Sequence, residues 1–339
     1  MIALFVAFAL AAPREEVRVA TPDGAEIGFT HLANPGHRAV ILCHGISSNH
    51  HFWDLSPGRS LADALHADGW DVWNLDLRGH GIVERTSAGR RPSTRTNLDT
   101  YGMIDVPTAI AYVRATTGQE EVAWVGHSMG GMVLAIHLAR AGDAGLSTAV
   151  VVASPLDFRD PDPLVTAAFR LAPLGPARLP TPLGGRVLAA LGRHAPLSAD
   201  EMLFNPEIVA PEARRAQLEA VVSPMMRGEV RQLGRVRHGE LVGDDGLVYR
   251  DALGAIDLPM YFLAGRADRI APPDRVRGYF DAVGSADRRF EVASRADGWR
   301  GDYGHLDFGC SDLAATEVFP RIAAWLDAHA GGTDAPTDR

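Results

Sequence analysis

The hexapeptide Gly126-His127-Ser128-Met129-Gly130-Gly131 stands between an apolar run, EVAWV, and a helical pattern, GMVLAIHLAR. A strand that turns into a helix this sharply forces its central residue into a strained backbone. The flanking glycines remove the side chains that would clash there. The spacing predicts that Ser128 is lifted to the C-terminal edge of a sheet, at a helix N-terminus whose dipole favours negative charge.

The rest of the chain repeats strand and helix around this turn. Residues 16–32 read as a hairpin, with Pro22-Asp23-Gly24 as its turn. Ala39–Cys43 (AVILC) is a continuous apolar run, as expected of a strand covered on both faces. A helix is expected over Gly58–Asp68, a strand over Asp71–Leu77, and a helix over Tyr101–Thr117 that starts or kinks near Pro107. Strands follow at Val122–Val125, Thr148–Ala153, Met260–Ala264 and Arg289–Val292, with helices at Gly130–Arg140 and Glu317–Ala330. This order argues for an α/β architecture: a mostly parallel sheet with helices on both faces, entered through an antiparallel hairpin. One interval, Leu156–Ala255, breaks the alternation. It is rich in Pro and Arg and has short helical patterns such as Glu212–Val222, but no alternating strand run stands out. It reads as a mainly helical cap inserted between two core strands. The organisation is therefore an apolar N-terminal segment (1–14), a first core part (15–155), a cap (156–255), a second core part (256–330) and a disordered tail (331–339).

Composition removes whole classes of chemistry. All 33 basic residues are Arg, so there is no lysine for a Schiff base, a P-loop or a Ser-Lys dyad. With 42 acidic residues the net charge is −9, which argues against nucleic acid as the main partner. Cys43 and Cys310 make neither a disulfide framework nor a zinc site. The pair His50-His51 has no carboxylate or thiol at ligand spacing along the chain. Residues 2–12 are too short to cross a bilayer of roughly 30 Å. They suit the core of a signal peptide, with Ala9-Leu10-Ala11 as a cleavage pattern, but no basic residue precedes them. Export or membrane attachment stands against a mis-set start or a docking segment in a cytoplasmic protein.

A nucleophilic serine needs two donors aimed at the developing oxyanion. One is expected from the residue after it, the Met129 N–H. The other is expected from the loop after an early strand, where Cys43-His44-Gly45-Ile46 supplies the Ile46 N–H, with Gly45 allowing close approach and His44 as a structural hydrogen-bonder.

At this point the chain resembles the α/β-hydrolase superfamily, from about residue 15 to 330, in its lipase/esterase branch with a cap insertion. The resemblance rests on His44-Gly45, Asp76-Leu77-Arg78-Gly79-His80-Gly81, the Gly126–Gly131 turn, Gly265-Arg266-Ala267-Asp268 and Gly304-His305, in that order. It implies a triad in chain order Ser, acid, His. The acid maps to Asp268, just past the strand MYFLAG, with Asp257 and Asp302 as alternatives. The base maps to His305, after the last strand and before the last helix. The implied activity is hydrolysis of a carboxylic ester through an acyl-enzyme on Ser128, needing no cofactor and no metal. The serine departs from related enzymes that use a carboxylate or cysteine at this position. The stretch Gly304–Phe308 is similar to the His loop of acid lipases.

The substrate is less legible. Met202, Leu203, Phe204, Met225 and Met226 offer apolar material to an acyl chain, though such residues also serve as ordinary core. Arg78–Gly81 reads as a structural turn at the pocket rim. Arg214, Arg215, Arg227, Arg231 and Arg235 could receive a carboxylate or stay solvated. An acyltransferase, thioesterase, lactonase or perhydrolase would use the same triad, and a non-enzymatic binding protein would not need all three residues. The expected partner is a small-molecule or lipid ester, with contact to a lipid interface and the oligomeric state left open.

Overall fold

Eight strands hydrogen-bond in one sheet of the computed structural model, which describes residues 12–159, 176, 178–191, 201–235 and 239–330. In chain order they are β1 (Glu15–Ala20), β2 (Glu26–Leu32), β3 (Ala39–Cys43), β4 (Asp71–Asp76), β5 (Val122–His127), β6 (Leu146–Val152), β7 (Met260–Gly265) and β8 (Arg288–Ala293). Their order across the sheet is β1-β2-β4-β3-β5-β6-β7-β8. The pairs β1–β2 and β2–β4 are antiparallel and every other pair is parallel. This is the α/β architecture expected, antiparallel hairpin included. The expected N-terminal signal or anchor (all but residues 12–14 of it) and the disordered tail 331–339 lie outside the described residues.

The central strands are apolar on both sides because both sides are covered. Ile41, Val151 and Phe262 belong to one core cluster; their neighbours Val40, Leu42, Val150, Tyr261 and Leu263 belong to the other. Helices α1 (Leu61–Ala67), α2 (Val106–Thr117) and α3 (Met129–Ala141) follow β3, β4 and β5. In the long β6–β7 connection lie α4 (Thr181–Leu191), α5 (Pro211–Ala216) and α6 (Arg227–Leu233), and beyond β7 come α7 (Pro273–Ala282) and α8 (Ala314–His329). Residues of α2, α3 and α7 join the first cluster, and residues of α1 and α8 the second.

Three local expectations change. Helix α1 starts at Leu61 rather than Gly58, because Arg59–Ser60 pairs with Asp54–Ser56 and the Ser60 side chain caps the helix at Asp63 N–H. Pro107 does mark a start, but Tyr101–Asp105 before it is wound as a π-helix. Within the β6–β7 connection, Arg178–Leu179 pairs antiparallel with Met225–Met226, a two-residue ladder that no alternation announces.

Candidate active site

Ser128 ends β5 and caps α3 with φ 51° and ψ −114°, a left-handed conformation rare for a residue with a side chain. The glycines around it are required by contact. A Cβ on Gly126 would lie 2.6 Å from the Gly130 backbone, and one on Gly130 would lie 2.6 Å from the Cys43 carbonyl oxygen. The turn is thus wedged against the end of β3, which brings the Gly45–Ile46 segment beside it.

Three sequence-predicted residues meet here. The Ser128 Oγ lies 3.0 Å from His305 Nε2, and His305 Nδ1 lies 2.8 Å from Asp268 Oδ2. The other Asp268 oxygen accepts from Ile270 N–H and Ala271 N–H, both at 2.8 Å. All three are nearly closed from solvent, with exposures of 6 % for Ser128, 3 % for Asp268 and 4 % for His305. They come from the carboxyl ends of β5 and β7 and from the loop after β8, the edge where a parallel sheet opens a crevice. The alternative acids lie elsewhere: the Asp302 carboxylate accepts from Arg295 N–H, and Asp257 donates its N–H to Asp143.

The Ile46 and Met129 N–H groups have no hydrogen-bond partner among the described residues. His44 sets the direction of the first. Leu77 N–H donates to its Nε2 at 3.3 Å, so the proton sits on Nδ1, which donates to the Gly45 carbonyl at 2.7 Å. That carbonyl and the Ile46 N–H share one planar trans peptide and point in opposite directions. Holding the carbonyl therefore aims the N–H. Complete burial pushes the His44 pKa down to about 3, which keeps the ring neutral and able to accept from Leu77.

His127, inside the turn, donates from Nε2 to the His305 carbonyl at 2.9 Å and stacks on Phe52, with ring centroids 4.0 Å apart. Burial holds its pKa well below the ordinary value, so no second positive charge arises beside His305. The Asp76–Gly81 motif is structural in its contacts. The Arg78 guanidinium joins Asp105 and Asp23, and burial pushes the Asp105 carboxyl up to about 6 against that pairing. Burial would also raise Asp76, but His50 bonds to it at 2.7 Å and holds it down to about 2. The fold thus pairs His50 with a carboxylate from 26 residues along the chain. Among the described residues no group of three or more His, Cys, Asp or Glu side chains gathers as a metal site.

Several contacts were invisible in the sequence. Asp307 is fully buried and accepts from Gly304 N–H and, at 3.1 Å, from Asn205 N–H of the β6–β7 connection. His80 Nε2 lies 3.2 Å from the buried Glu229 of α6, which also takes the Tyr101 hydroxyl. Ser223 pairs with Ser47. Only the Gly304–Phe308 similarity hinted that Asp307 belonged to the site. Of the apolar residues singled out, Phe204 and Met226 are core, Met226 lying over Gly79. Arg215 and Arg235 are taken up by Glu219 and Asp244.

A family model described as alpha/beta hydrolase fold matches residues 38–296. Human gastric triacylglycerol lipase is 32% identical over 130 residues, which are 35% of this chain and 33% of that protein. Lipase 3 of Drosophila melanogaster is 38% identical over 95 residues, 27% of this chain and 24% of that one. The matched segments therefore span only a quarter to a third of these relatives. Among solved structures, a thermophilic esterase from Thermogutta terrifontis superposes with a TM-score of 0.64 at 18% identity, covering 94% of this chain and 100% of the other. A monoacylglycerol lipase from Paleococcus ferrophilus superposes with a TM-score of 0.57 at 17% identity, covering 94% and 99%.

Proposed function

The chain belongs to the alpha/beta hydrolase fold family, and from that premise we propose that it is a serine hydrolase cleaving a carboxylic ester of the lipase/esterase kind. The observation that carries the reading is the continuous relay from Ser128 Oγ through His305 to Asp268, beneath a turn whose next N–H has no partner among the described residues. In this reading His305 Nε2 takes the hydroxyl proton as Ser128 attacks the acyl carbon. The oxyanion is received by the Ile46 and Met129 N–H groups, and Asp268 stabilises the imidazolium and keeps its ring turned. His305 returns the proton to the departing alkoxide, leaving an acyl-enzyme. Water then attacks with His305 again as base, and the free acid leaves. The interval Leu156–Ala255 acts as the cap over this edge, and the partial likeness to lipases, with its apolar residues, favours an apolar acyl chain.

Ser128→Ala should abolish hydrolysis of a short aryl ester, by more than about 10³-fold. Asp268→Asn, which keeps the shape but loses the charge, should cost about 10³–10⁴-fold. Near-normal turnover in Ser128→Ala would refute the assignment. An acyltransferase would reveal itself by ester product exceeding free acid when an alcohol acceptor is supplied.

A further inference from the structure

The oxyanion loop is held from two sides, and only one of them belongs to the core. On the core side His44 fixes the Gly45 carbonyl. Immediately beyond Ile46, Ser47 stands at φ 55°, in the left-handed region that a residue with a side chain rarely adopts unaided. What holds it there is Ser223, 176 residues away in the cap. The Ser223 N–H donates to the Ser47 carbonyl at 2.9 Å, and the Ser47 hydroxyl donates back to the Ser223 carbonyl at 2.7 Å.

Ser223 is itself tied from several directions. Its carbonyl also accepts from Thr181 Oγ1 at 2.6 Å, at the start of cap helix α4. Its hydroxyl accepts from Asn49 Nδ2 at 3.2 Å and from Gly81 N–H at 3.3 Å. Asn49 reaches the cap a second time, donating to the Ala220 carbonyl at 3.0 Å. One buried cap residue therefore joins two cap segments to the loop that carries Ile46 and to the turn at Gly81.

We propose that Ser47, held by Ser223, is a positioning residue for the oxyanion site: the cap, through this reciprocal pair, keeps the Ile46 N–H aimed at Ser128. The inference rests on the serine-hydrolase reading. A loop pinned at Gly45 but released at Ser47 is free to leave the left-handed region, and Ile46 lies between the two points. The loss then falls on the transition state, because the oxyanion exists only there, and not on ground-state binding of the ester.

The experiment compares Ser47→Ala and Ser47→Asn with the wild-type full chain on a soluble aryl ester. Rates are normalised by the burst amplitude, so that misfolded molecules are not counted. Ser47→Ala, which loses the hydroxyl and keeps the strain, should lower kcat about tenfold with KM within about twofold. It should weaken an aryl trifluoromethyl ketone, whose adduct carries the oxyanion, by the same factor. Asparagine tolerates left-handed backbone and carries a donor, so Ser47→Asn should recover at least part of both losses. Unchanged kcat per active site in Ser47→Ala, or a kcat loss with no change in ketone affinity, would overturn the inference. Ser128→Ala separates the two levels: if it is dead while Ser47→Ala is normal, only this inference fails. If Ser128→Ala still turns over, the underlying reading fails and takes this one with it.

Discussion

Burial decides the protonation of the carboxyl group that joins the β6–β7 connection to the histidine loop. Asp307 accepts two backbone N–H groups, from Gly304 and Asn205, and these favour its ionised form, as does Arg214. Desolvation opposes them, helped by the nearby charge of Asp268, and it wins: the Asp307 pKa is pushed up to about 7. An aspartate in the unfolded chain titrates near about 3.9. Between those values the unfolded state binds fewer protons than the folded one, so stability falls as pH rises through the window. The slope contributed approaches about 1.4 kcal/mol per pH unit inside it and vanishes above it. Asp307→Asn removes this titration, so the variant's urea-unfolding free energy minus that of wild type should climb from pH 4 to 7 and then level off. A difference that stays flat with pH would show that Asp307 titrates normally. The same residue marks a limit of sequence reading. The turn around Ser128 and the Asp268 position were legible because each follows a strand end with a local signature, and His305 because it stands in the loop between the last strand and the last helix. Asp307's partner Asn205 and Ser47's partner Ser223 are separated from them by 102 and 176 residues, and no local pattern encodes such a pairing.

At the level of elements, legibility followed burial. The run AVILC is strand β3 to the residue, and MYFLA falls within β7, because strands covered on both faces must be continuously apolar. Helix α7 passed unread: its sequence, PDRVRGYFDA, opens on charged residues and has a glycine at its middle, and its apolar face is Val276 and Tyr279 with Phe280 and Ala282 packed beside them. Helix α4 of the β6–β7 connection shows the opposite case, apolar residues that the fold leaves outside. Leu183 is 62% and Val187 51% exposed, one turn apart on a face shared with Arg186 and with no acidic residue in the helix. Under the proposed lipase/esterase reading, an uncovered apolar pair on this helix would suit contact with an aggregated lipid substrate. Replacing both by serine should lower the rate on a triglyceride emulsion several-fold while leaving a dissolved aryl ester unaffected. Equal losses on both substrates would place these residues in the fold and not at an interface.

Across the whole molecule, the β6–β7 connection joins the sheet through apolar residues of both core clusters, such as Tyr249 in one and Phe204 in the other, and through buried polar contacts. Glu229 of α6 is the deepest of them. It is fully buried, one oxygen facing His80 and the Tyr101 hydroxyl and the other accepting from Met226 N–H at 2.9 Å. It thereby links the start of α6 to the Arg78–Gly81 turn and to the segment leading into α2. His80 extends the link by bonding from Nδ1 to the Ser48 carbonyl at 2.9 Å, within the oxyanion loop. A group so placed contributes little net stability when satisfied, because its desolvation offsets what its bonds return. Removing one member is different: it strands the remaining polar atoms without water. Glu229→Ala should therefore cost about 3–5 kcal/mol in a urea melt. Tyr101→Phe should cost less, since the hydroxyl is lost together with its need for a partner, and the double variant should cost less than the sum of the two. Additive losses would mean that Glu229 and Tyr101 act independently and that their shared hydrogen bond contributes nothing to stability.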